Sequence, residues 1–73
     1  MKPMKLTSKW QLSLALFAVG GIFVEVQDRA TGVIVKGILM AVERESGCGS
    51  SFNLYIHEMG ATKSTWVYWR SVD

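Results

Sequence analysis

The chain has 73 residues, a formal net charge of +2 and a hydrophobic fraction of 49%. That length allows one domain, residues 1–73, whose single core supplies no more than ~3–5 kcal/mol. Cys48 is the only cysteine and His57 the only histidine, which excludes an intrachain disulfide and leaves a Cys/His zinc site short of ligands.

Partner subunits are the remaining way to stabilise so small a chain. Its three tryptophans point to apolar surface for a neighbour to cover. The charge is mildly basic and no dense Lys/Arg run occurs, so electrostatics permits nucleic-acid binding without arguing for it. No carboxylate pair, phosphate-binding loop or metal spacing is visible, and "GCG" neither follows a strand nor opens a helix. The chain reads as a non-enzyme with no cofactor, no metal and no small-molecule substrate.

In chain order, Ser8 followed by Gln11 has the form of a capping box before the apolar run "LSLALFAV". Leu12, Leu14, Ala15, Leu16 and Ala18 favour a helix, and Gly20–Gly21 would end it, one of them in a left-handed cap. The expected helix covers about residues 8–19. It is apolar on nearly every side, so burial on more than one face is expected, with Trp10 packed between helix and sheet. A competing reading takes Lys2, Lys5, Lys9 and the apolar run as a signal peptide. Against it, Gln11 and Ser13 interrupt the run, and cleavage would leave a thin domain. The run also falls short of the ~20 residues that span a bilayer, so no membrane partner and a cytoplasmic location are expected.

From Ile22 the period changes to two. "IFVEVQD" alternates as a strand, and "RATG" is a turn with Gly32 free for positive φ. "VIVKGILMAVERE" is long for one strand, and Gly37 suggests a bend or bulge within it. "SGCGS" is a loop, "SFNLYIHE" a third strand, "MGATKS" a turn and "TWVYWR" a fourth, with "SVD" opening a short fifth. The fold expected is mainly β: an N-terminal helix, then a strongly bent antiparallel barrel of four to five strands over about residues 22–73.

Within this pattern Asn53 is anomalous, an amide where a strand asks for a β-former. It falls in "FNLYI", downstream of "VEVQDRATGVIVKGILMAVE" with Gly32, Gly37, Leu39 and Glu43, and upstream of "VYWRSV" with Trp69, Arg70 and Ser71. In order and spacing these segments resemble the Sm-like family of small SH3-like RNA-binding barrels, over nearly the whole chain. The resemblance implies a homo-oligomeric ring of about five to seven subunits, closed by pairing of the last strand with a neighbour. It further implies binding of single-stranded, U-rich RNA, with Asn53 reading a base edge and Arg70 bracing the pocket. Ser51 stands where that family often has a stacking aromatic or histidine, Ser71 replaces the second motif's glycine, and Arg44 in the loop "RESGCGSS" is a substitute contact.

Plainer readings stand beside these. Asn53 also suits a hydrogen bond within its own hairpin, and Arg70 an ion pair with Glu43 or Asp73. Trp66, Tyr68 and Trp69 suit a core or interface as well as base stacking. His57 reads as an exposed strand residue, Cys48 as a loop thiol, and Lys2, Lys5 and Lys9 as a solvated terminus or phosphate contacts. The alternative function is a structural or protein-interaction barrel with no RNA role.

Overall fold

A computed structural model describes residues 2–44 and 51–72; Cys48 and Asp73 lie outside them. The elements are β1 (Met4–Lys5), α1 (Lys9–Leu16), β2 (Phe23–Gln27), β3 (Ile34–Arg44), β4 (Ser51–Glu58) and β5 (Thr65–Arg70). The strands form one sheet in the order β1-β2-β3-β4-β5. Strands β2 to β5 make the expected antiparallel meander. The fifth strand is N-terminal rather than C-terminal. β1 runs parallel to β2, with Met4 opposite Val24 and Lys5 opposite Glu25, and α1 supplies the crossover that a parallel pair needs. The radius of gyration, 11.1 Å, is that of a compact chain of this length.

The sheet is mixed and is not closed, which corrects the expected all-antiparallel barrel. β1 has two residues, too few to carry a second ladder to β5. Isolated bonds bridge the gap instead. The Trp69 indole N–H donates to the Leu6 carbonyl at 2.8 Å. The Val72 N–H donates to the Thr7 carbonyl at 2.9 Å, and the Arg29 N–H to the Tyr68 carbonyl at 2.8 Å.

Alternation along the strands fills the interior. Val24 and Val26 of β2, Val35 and Leu39 of β3, Leu54 and Ile56 of β4, and Val67 and Trp69 of β5 are buried together with Leu6, Leu12 and Ala15. The bend in β3 uses Gly37 differently from the expectation. The register shift lies between Leu39 and Ala41, leaving Met40 as the extra residue of a bulge. Gly37 instead allows a close approach: a Cβ there would collide with the His57 carbonyl and sit 2.8 Å from the Glu58 Cα. Gly32 takes φ +80°, as its turn requires.

The capping box of α1 is present. Gln11 Oε1 accepts the Ser8 N–H at 3.0 Å and the Thr7 N–H at 2.7 Å. The helix ends at Leu16 with Phe17 as its C-cap, earlier than the apolar run implies. The chain then turns, and Gly20, at φ +91°, donates its N–H to the Leu39 carbonyl at 2.7 Å. Only Leu12 and Ala15 of the helix are buried. Trp10 is 61% exposed, so it is not packed between helix and sheet. At 3.6 residues per turn, positions 10, 14 and 17 lie opposite positions 12 and 15. Among the described residues no helix is long and apolar enough to cross a membrane, and no buried side-chain polar atom lacks a hydrogen-bond partner.

Candidate functional site

Strands β4 and β5 pair with Ser51 opposite Arg70, Asn53 opposite Tyr68, and Tyr55 opposite Trp66. Because Leu54, Ile56, Val67 and Trp69 point into the core, these six residues belong to the other face of the sheet. Asn53 and Arg70 are diagonal neighbours on this face, a relation that spans about 7–8 Å in an antiparallel pair. The sequence motifs thus bring the two residues together, on adjacent strands rather than on loops.

The aromatics around them divide by the same alternation. Trp69 is buried and its ring lies 5.8 Å from that of Phe52. Trp66 is 51% exposed and packs on Tyr55, ring centroids 4.7 Å apart and planes tilted by 37°. Tyr68 lies between them and Arg70 and donates its hydroxyl to Ser51 Oγ at 3.1 Å. The outer face is therefore a half-buried aromatic row with an amide in its middle and an exposed guanidinium at one end. Tyr55 is the member that motif matching misses. The signal for it was the register itself: with Leu54 and Ile56 inward, Tyr55 must share a face with Asn53.

The remaining candidates are placed less favourably. Ser51 is fully buried and Ser71 is 8% exposed, so neither hydroxyl is presented at the surface. Arg44 is exposed at the end of β3, opposite Phe52. Glu43 is opposite Asn53, yet the ion pair among the described residues is Lys36 with Glu25, at 3.8 Å, and Arg70 takes part in none. His57 is half-buried, with Nδ1 3.2 Å from Ser64 Oγ. Arg70 also lines a cavity of about 170 Å³ at the seam between β1–β2 and β5, with Lys5, Arg29, Glu25 and Trp69 among its walls. That volume is below the ~300–1,000 Å³ of pockets that enclose drug-sized ligands. Among the described residues no group of three or more His, Cys, Asp or Glu is gathered to hold a metal ion.

Compared with protein-family models, curated proteins and solved structures, the chain matches none.

Proposed function

We propose that this chain is a non-enzymatic small β domain of Sm-like type that binds single-stranded, U-rich RNA on the outer face of β4 and β5. The observation that carries the reading is the set Asn53, Tyr55, Trp66, Tyr68 and Arg70 on one sheet face. Single-stranded RNA is read by splayed bases that stack on aromatic rings and hydrogen-bond along their edges. Trp66 and Tyr55 supply the stacking surface, Asn53 an amide with both donor and acceptor, and Arg70 a fixed positive charge for phosphate. Ser51 and Ser71 drop out of the RNA contacts because they are buried. Arg44 remains an outlying phosphate contact.

The test is binding of a fluorescent oligo-U by the whole chain across a salt series. The reading expects a negative slope of log affinity against log salt, shallower in Arg70→Ala, because each neutralised phosphate releases a counterion. It also expects Asn53→Ala to weaken binding while the protein stays folded. Salt-independent binding, or affinity unchanged in both variants, rejects it.

A second reading has its own observation. Phe17 is 89% and Trp10 61% exposed on the helix, which suits a protein-interaction module with no RNA role. On that reading no oligo-U is bound at any salt concentration.

A further inference from the structure

The helix carries apolar residues on two opposite faces, and the chain covers only one. Leu12 and Ala15 face the core. Directly opposite, Trp10, Leu14 and Phe17 recur at i, i+4 and i+7, which places them in one stripe. They are 61%, 51% and 89% exposed. A helix apolar all round is normally buried all round.

We propose that this stripe is the interface of a homodimer in which two copies of α1 pack antiparallel across a twofold axis. The area is of the size such a dimer needs. Aromatic side chains present ~150–250 Å² each, so the three residues expose on the order of 400 Å² of apolar surface. A standard interface buries ~800 Å² per partner, of which about 65% is apolar in homodimers, or ~520 Å².

The composition of the stripe favours a second copy over other occupants. An isologous contact sets the same patch against itself, so the patch must be self-complementary. This one holds no charged residue. Lys9, at the helix start, is the helix's one charged residue. Antiparallel packing keeps the two Lys9 ammonium groups apart and sets each near the carbonyl end of the other helix, where positive charge is favoured and the last turn has no basic residue of its own. A lipid surface fits less well. Interfacial helices pair their apolar face with a strongly charged one, whereas the opposite face of α1 is spent on the core.

The pairing also accords with the strand edge. The Tyr68 carbonyl, on the side of β5 away from β4, is already taken by Arg29 within the chain. That edge is therefore partly engaged, while the helix stripe is open.

The experiment is sedimentation velocity of the whole chain from about 1 to 200 µM, on the native sequence and on Leu14→Ser/Phe17→Ser. Both positions are exposed, and far-UV circular dichroism checks that the variant keeps its fold. The proposal expects twice the 8.1 kDa chain mass for the native protein, and dimerisation weakened at least ~100-fold in the variant. A native protein that stays monomeric throughout, or an oligomer unaffected by the two substitutions, overturns it. So does a solution monomer that floats with anionic phosphatidylglycerol vesicles only while Leu14 and Phe17 are present. The midpoint of the stripe supplies a second measurement. Ser13 flanks it near the twofold axis, so Ser13→Cys in a Cys48→Ser background should oxidise to a disulfide-linked dimer, and failure to cross-link counts against the antiparallel geometry. Oligo-U affinity of the Leu14→Ser/Phe17→Ser variant separates this proposal from the RNA reading, because the two surfaces share no residue.

Discussion

Trp69→Phe is the perturbation whose cost can be worked most directly from the packing. Trp69 is 1% exposed and Leu6 3%. The indole N–H to Leu6 carbonyl bond, at 2.8 Å, ties the N-terminal segment to the last strand across the gap where the sheet fails to close. Phenylalanine keeps the six-membered ring's share of the packing and removes the donor. The Leu6 carbonyl is then buried without that partner, which costs ~1–3 kcal/mol. The space vacated by the five-membered ring adds about 1 kcal/mol. The sum, about 2–4 kcal/mol, is most of the ~3–5 kcal/mol that one small core supplies. Urea unfolding followed by far-UV circular dichroism should show the midpoint falling steeply with an unchanged slope. In a thermal melt the same loss lowers Tm by at least ~8 °C. Trp66→Phe is the control: at an exposed site it should change stability by less than ~0.5 kcal/mol. A Trp69→Phe cost below ~0.5 kcal/mol would refute the claim that this bond holds the sheet's two ends together.

The glycines separate two causes. Gly37→Ala drives a Cβ into the backbone of β4, so it should cost at least ~2–3 kcal/mol, on the scale of severe overpacking, or prevent folding. Gly32→Ala meets no atom but needs φ +80°, and should cost only about 1 kcal/mol; equal costs in a pair of urea melts would contradict the assignment. Gln11→Ala removes the acceptor of the Thr7 and Ser8 N–H groups, and about 1 kcal/mol of stability should go with it. Hydrogen exchange should show the loss first at the start of α1.

The strands were legible where one face is wet. "FVEVQ" and "FNLYI" alternate because the sheet buries one side, and the positions of Asn53 and Arg70 on neighbouring strands follow from that alternation. β1 was invisible because two residues carry no period, and its pairing depends on a helix folding back first. The bulge at Met40 was read three residues early, at Gly37. A glycine in a strand signals either a bulge or a close approach, and only the neighbouring strand decides which. The helix and its apolar second face were found, but its end was not, and that second face is exposed rather than buried as expected. Helix propensity runs on through Ala18, while Phe17 has no core to enter within a chain of this size. For the site, motif order pointed to Asn53 and Arg70 and to serines that prove buried, and Trp66 stood among the candidate stacking aromatics, whereas Tyr55 emerges only from register.

The measurement that tests the RNA reading most directly is a ¹H–¹⁵N correlation spectrum titrated with a short oligo-U. The account predicts that the largest shifts fall on Asn53, Tyr55, Trp66, Tyr68 and Arg70, including the Trp66 indole N–H. It also predicts that Trp66→Ala weakens binding ~5–150-fold, the loss of one stacked base. No shifts at saturating RNA, or shifts confined to α1 and the N-terminal lysines, would contradict it.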